Sequence, residues 1–416
     1  MSASSKHSPK RKHISTKLDL ITTNNRSTQG SLHESPQPSG GSDSTDHDRN
    51  KQQTYFGISS TFDFTANPCR KDVDAIRTSY KQSHDWLKLI PPTPERESVG
   101  RTAAIETYFE LPERILADSL LDVYFRRTHK LYPFVHEGDF RAEYETIWRS
   151  DANRHQRLPW FAVVNMVFAY GVESCNPIQN EIALVVANLY VARAQNIILA
   201  HVLKASTLET IQALLLMCYY LQAVGELNEC WNLAGLLTRT AQSLGLHVNA
   251  SAERFLPIER ELRKRAWAGC LVLDRSLSLA CGRPPSLGVQ NLSVDLPLAV
   301  DDQYIRNDIT SPRQPSGTPS TISFFVSTIR LSCIVSEVST TLYLRDFDQC
   351  STDTALFGMP QSGVSRCNHV LGTVLLLDGQ LQLWWDQVPD HLKYEPTGLD
   401  RSYPDMQSQR AALKAR

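Results

Sequence analysis

The chain has 416 residues, enough for one large domain or two smaller ones, and 41% of them are hydrophobic and 8% aromatic, which suffices for a core. A formal net charge of −1 excludes attachment to nucleic acid or anionic membrane through bulk charge, so any such contact needs a local patch. Nine cysteines run from Cys69 to Cys367 without a Cys-x-x-Cys spacing, and several sit inside apolar runs such as "LLLMCYYL", as buried thiols of a reducing compartment do and disulfide scaffolds do not.

No uninterrupted apolar run approaches the roughly 20 residues that span a bilayer, and "MSASSKHSPKRKH" has no apolar stretch of a secretory signal. A soluble, intracellular protein without membrane contact is expected. Residues 1–68 are rich in Ser, Thr, Gly, Pro and Asp and poor in large aliphatics, so they cannot bury enough apolar area to offset ordering and read as a disordered tail. Its dense feature is the basic cluster "KHSPKRKH". Lys10, Arg11 and Lys12 form either a nuclear-import signal or an ordinary solvated tail. Residues 69–110 read as a linker, with "IPPTPERESVG" near its end.

From residue 111 to 392 the period is helical. Pro112 suits a first helical turn, followed by a stripe of Leu116, Leu120, Tyr124, Thr128 and Leu131, widened by Leu121 and Phe125. Pro133 interrupts. A second helix starts at Gly138-Asp139, with Asp139 as its cap, and carries Phe140, Tyr144, Ile147 and Trp148. "PWFAVVNMVFAYG" and "NEIALVVANLYVARAQNIIL" make two buried helices. "STLE" from Ser206 is a capping box for the next, which Gly225 ends, and a further helix from Asn228 stops at Gly245. The last two are joined by a few residues and should form an antiparallel pair. A helix follows through "RELRKRAWAGCLVLD", then a mobile loop from Asn307 to Thr321, then helices over Phe324 to Tyr343 and Cys367 to Trp385. Residues 393–416 read as a tail without an apolar face. The expectation is an all-α, multi-helix array of antiparallel pairs.

The motifs of catalysis are missing: no Gly-x-x-x-x-Gly-Lys, no Gly-x-Ser-x-Gly and no His-Glu-x-x-His occur. "HEGD" at His136 to Asp139 groups three metal-ligand types, but at a turn where capping explains Asp139 better. "VDD" at Val300 to Asp302 is similar to the acidic start of a terpene-synthase magnesium motif. Ile305 stands where its third carboxylate would be, so a solvated loop is expected.

Two segments carry a resemblance. "LLDVYFRRTHKLYPFVHEGDFRAEY" places Tyr124-Phe125, His129, an apolar-Pro-apolar turn, His136-Glu137 and Phe140 in order. The second has Leu244 to His247, then Glu261 to Trp267, Leu273 to Arg275 and Gly282 to Pro285; "LQLWWDQVPDHL" adds a Trp helix with a Val-Pro turn. Together they resemble the regulatory, or middle homology, domain of the fungal Zn2Cys6 transcription factors. The resemblance implies an all-α regulator of RNA polymerase II transcription in the nucleus, not an enzyme. Its partners would be proteins, related transcription factors among them, or a small effector. In that family six cysteines near the N-terminus hold two zinc ions and read DNA. Here Cys69 alone precedes Cys175, so neither zinc nor another cofactor is expected in this chain, and DNA contact is indirect or through another segment. A second reading is a protein that pairs with full-length relatives and blunts them; a third, an all-α enzyme, lacks any site constellation.

The charges of the second segment have two readings of their own. Arg260, Arg263, Lys264 and Arg265 form either a solvated face or a contact surface for an acidic partner. Asp274 sits beside an apolar stripe, where an unpaired carboxylate is costly. Asp274, Arg275, Gly282, Arg283 and Pro284 are therefore read as a structural lock, with Gly282 reversing the chain so that Arg283 meets Asp274 in a bidentate pair.

Overall fold

The computed structural model describes residues 109–149, 157–175, 181–203, 206–249, 254–288, 294–343, 363–393 and 406–415. Lys10, Arg11 and Lys12 and the tail that carries them lie outside the described residues. Among the described residues the regular structure is helical throughout, as the sequence pattern requires.

Helix α1 (Arg114–Arg127) begins two residues after Pro112 and buries Ala117, Leu120, Leu121, Tyr124 and Phe125. Leu116, expected on the core stripe, is half exposed because Ala117 takes the inward position. Helix α2 (Glu137–Ile147) buries Phe140, Tyr144 and Ile147; its cap is His136, whose Nδ1 accepts from the Asp139 N–H at 3.2 Å, not Asp139 itself. Helices α3 (Leu158–Cys175) and α4 (Glu181–His201) pack against each other, and α3 also contacts α1.

Helix α5 (Leu208–Val224) is capped by Thr207, whose Oγ1 accepts from the Thr210 N–H at 3.2 Å, one residue later than the Ser206 cap expected. Every residue from Thr210 to Leu221 is buried, as in a helix that is apolar all round and lies at the centre of a bundle. Gly225 ends it, and α6 (Leu227–Ser243) turns back along it, with Cys230, Leu233, Ala234, Leu237 and Ala241 inward. Helix α7 (Pro257–Cys281) starts on a proline, whose missing N–H has no intrahelical partner at that position, and packs on α5, α6 and α8 (Ser323–Val338). A π turn, Ser339–Tyr343, extends α8, and α9 (Gly363–Gln387) packs on α8.

Helix α10 (Gln407–Ala415) corrects the reading of residues 393–416 as a tail without an apolar face. Leu413 is buried with Phe324, Val388 and Leu392, and the buried Gln409 donates to the carbonyls of Lys130 and Thr321 at 2.7 Å each. Met406, Gln409 and Leu413 recur at helical spacing, a short signal within a polar segment. At the other end Phe109, placed in the linker by sequence, packs edge-on against Phe161 at 4.8 Å.

Residues 183–201 of α4 are long and apolar enough to cross a membrane by length and composition alone. In the fold, Ala187, Tyr190, Val191, Ala194, Ile197 and Ile198 are buried in the main core.

Candidate functional site

After α1 ends at Arg127 the turn runs into the core, where Pro133 has no backbone N–H to pair and Phe134 fills an apolar slot. Phe134 is fully buried, stacks on Tyr219 at 5.5 Å, meets Phe325 edge-on at 5.8 Å, and its carbonyl accepts from Gln212 Nε2 at 2.6 Å. Gly269 of α7 makes this possible. A Cβ there would stand 2.5 Å from the Phe134 ring, closer than real Cβ contacts allow.

On either side of Phe134 the two histidines of the first signature segment turn inward. His129 Nε2 lies 2.8 Å from the Val135 carbonyl and 3.4 Å from Asp302 Oδ2. His136 accepts the Asp139 N–H on Nδ1, so its Nε2–H points at the carbonyls of Asp302 and Ile305, 3.0 and 3.1 Å away. Asp302 is buried, on a short 3-10 turn, and is no part of a solvated loop. Its Oδ2 accepts the Glu137 N–H at 2.9 Å, and its Oδ1 lies 2.6 Å from Arg265 Nη1. Arg265 Nε donates to Glu261 at 3.1 Å, whose carboxylate also accepts the Leu298 N–H at 2.9 Å. Burial alone would raise the Asp302 carboxyl, but the Arg265 charge, helped by the His129 hydrogen bond, outweighs it and holds it well below the usual carboxylate range. Burial would lower Arg265, and Asp302 and Glu261 together keep it raised. The network joins α2, α7 and the 298–305 loop in one buried ionic clip.

Next to it, Asp301 fixes the loop that sequence left mobile. Its Oδ1 accepts from Ser320 Oγ and from the N–H and Oγ1 of Thr321, and its Oδ2 from Gln314 Nε2. Outside the clip lies an open cleft of about 750 Å³, lined by His136, Asp139, Arg141, Ile258 and Arg306 among others, with charges of both signs. "HEGD" thus supplies a cap and a clip, with Asp139 exposed.

The basic run does not stand on one open face. Arg265 is wholly buried in the clip; Arg263 is buried over the Phe255 ring at 4.1 Å and donates to the Leu244 carbonyl at 2.8 Å. Lys264 lies 3.5 Å from Asp295, and Arg260 is half-buried. Two of the four residues expected as a surface are therefore internal, because α7 is packed on several sides rather than one.

The lock at the end of α7 has a different donor from the one expected. Asp274 is buried, and its two oxygens accept the N–H groups of Ser286 and Leu287, both at 3.0 Å. Gly282 reverses the chain with φ 64° and Pro284 follows, but Arg283 lies over the Trp231 ring at 4.8 Å and 3.4 Å from Asn228. The backbone reaches the carboxylate first, since the turn brings two consecutive N–H groups over it. Burial raises the Asp274 carboxyl, opposed by these two bonds and by Arg275. Arg275 points away from the lock, toward Ser332 and Cys333 of α8.

Sequence reading missed Asp302, Glu261 and His129 as a unit. The i, i+4 spacing of Glu261 and Arg265 was the available signal. Of the described thiols, Cys218, Cys230, Cys270 and Cys281 are buried and Cys333 is partly exposed; Cys218 is pushed up by its hydrogen bond with Cys230 and by burial, and Cys270 by burial.

Among the described residues the fold is an all-α bundle whose buried charges clip helices and a loop together. Residues 121–386 match the fungal specific transcription factor domain, and the chain belongs to that family. It is 27% identical over 315 residues to Transcription factor FBD3 of Gibberella moniliformis, covering 72% of this chain and 38% of that protein. It is 25% identical over 309 residues to Sorbicillinoid biosynthetic cluster transcription factor 2 of Penicillium rubens, covering 72% and 41%. To Lactose regulatory protein LAC9 of Kluyveromyces lactis it is 30% identical over 202 residues, covering 47% and 21%. The chain thus matches less than half the length of these relatives, and no solved structure matches it.

Proposed function

We propose that the helical domain over residues 111–392 is the middle homology region of a Zn2Cys6-type regulator, acting in the nucleus on RNA polymerase II transcription. The observation that carries it is the clip. His129 and His136 of the first signature segment and Arg265 of the second, far apart in sequence, converge on Asp302, so the motifs of the family are one structural unit here. Partners are proteins, related transcription factors among them, and the domain answers to them or to a small effector. The full chain fused to a heterologous DNA-binding domain should change transcription of a reporter carrying that domain's site; output equal to the DNA-binding domain alone overturns the reading.

The cysteines favour a second reading for the chain as given. With Cys69 the one cysteine before Cys175, the 416 residues do not provide a six-cysteine cluster at their start, so they hold no zinc pair and act on DNA through a partner or another segment. In that role the chain pairs with full-length relatives and modulates them. Its near-neutral charge leaves few cations to displace phosphate counterions. Metal analysis finding two zinc ions per purified chain, or tight sequence-specific DNA binding, overturns this.

A further inference from the structure

Arg275 is 2% exposed, yet its guanidinium is only partly satisfied. Nη1 donates to Ser332 Oγ at 3.1 Å and faces Cys333 Sγ at 3.5 Å. Nε and Nη2 have no hydrogen-bond partner. Those two N–H groups are parallel and share one edge of the planar group, the fork that donates to both oxygens of a carboxylate. The adjacent Asp274 does not fill it, because its oxygens are held by Ser286 and Leu287. Elsewhere the fold satisfies buried arginine: Arg265, equally hidden, has two carboxylates.

Further polar atoms in the same helices are also unsatisfied. Ser278 lies three residues along α7 from Arg275, Thr328 lies four residues before Ser332 on α8, and the hydroxyls of both are buried without a partner. Buried donors left unmade cost stability, and a full buried charge costs most. Such groups on two helices that pack together are what a binding site for an anionic oxygen ligand presents.

We propose that the interface of α7 and α8 binds a small carboxylic acid, its carboxylate gripped by the Nε/Nη2 edge of Arg275 with Ser278 and Thr328 donating beside it. Both helices carry buried apolar side chains, Leu271 and Leu331 among them, which suits a ligand whose remainder is apolar. Cys333, partly exposed and beside Nη1, marks the side nearest solvent. The proposal stands on this geometry and not on the transcriptional role, since binding is measured without transcription.

The test is a thermal-melt series of the full chain with propionate, benzoate or inorganic phosphate, against sodium chloride at equal ionic strength. A ligand that binds the native state raises the melting temperature with the logarithm of its concentration. The carboxylates should do so, benzoate more than propionate, and should slow alkylation of Cys333 read by peptide mass spectrometry. Arg275→Met should weaken the response by about tenfold or more, as loss of a bidentate charge-assisted pair implies. If that variant does not fold, Thr328→Val, which keeps the shape and removes one donor, should weaken the response instead. No response to either carboxylate, an equal response to chloride, or a response unchanged in the variant that folds overturns the proposal. A response to phosphate alone overturns the carboxylate assignment.

Discussion

Arg265 Nη1 lies 2.6 Å from Asp302 Oδ1, both side chains almost wholly sealed from solvent, and this contact pins a loop 37 residues downstream onto α7. Because Glu261 shares Arg265, the cluster has one cation between two carboxylates, and backbone N–H groups of Glu137 and Leu298 take up remaining acceptor capacity. Breaking one member of such a buried set strands the others.

Arg265→Met leaves two buried carboxylates without their cation and should lower stability by about 3–5 kcal/mol. Asp302→Asn alone should cost less, since Glu261 still faces Arg265. The two losses should not add, and urea melts of both singles and the double read the coupling directly. Additive losses would show that the pair is not energetically linked.

Acid should unfold the protein through the same carboxylate. Asp302 is held below its unfolded value, so its contribution is present above about pH 4 and is lost as pH falls from there toward the folded value. Asp274, raised by burial, acts with the opposite sign: ionising it as pH rises costs native stability. Asp302→Asn should therefore flatten the fall in melting temperature below pH 4. A parent and variant with parallel acid limbs would contradict this.

At the end of α7, Asp274→Ala should remove the acceptor of two backbone N–H groups, each costing about 1–3 kcal/mol if left unmade. Arg283→Ala removes a stacking contact at the rim and should cost about 1 kcal/mol or less. Equal losses from the two changes in chemical denaturation would restore an Asp274–Arg283 lock.

Two glycines on helices should respond in opposite directions. Gly269→Ala drives a methyl into the Phe134 ring, where overpacking costs about 1–3 kcal/mol. Gly235 on α6 has nothing within 4 Å of the added atom, so Gly235→Ala should stabilise by about 0.5–1 kcal/mol through helix propensity. Melting temperatures that move together would refute the close approach of Phe134 to α7.

The basic cluster is tested in cells. Replacing Lys10, Arg11 and Lys12 by Ala in a fluorescent fusion of this 46.8 kDa chain should shift it from nucleus to cytoplasm. Undiminished nuclear accumulation would leave the cluster a solvated tail.

The sequence by itself determined the helices. The period of apolar residues, Gly225 and Gly245 as stops and the short link between α5 and α6 reflect local chemistry, where each residue answers to neighbours within a turn or two. It also carried the family motifs, because those are residues in order. What only the tertiary structure decided is where each charge goes. Arg263 and Arg265 look alike in a basic run, but α7 is packed on several sides, so one stacks on Phe255 and the other meets Asp302. Asp302 read as solvated because the groups that hold it come from two segments far from it in sequence. Arg283 seemed the partner of Asp274 by proximity in sequence, yet the turn delivered two backbone N–H groups first. A buried charge is satisfied by whatever the fold brings within about 3 Å, and spacing along a chain does not encode that distance.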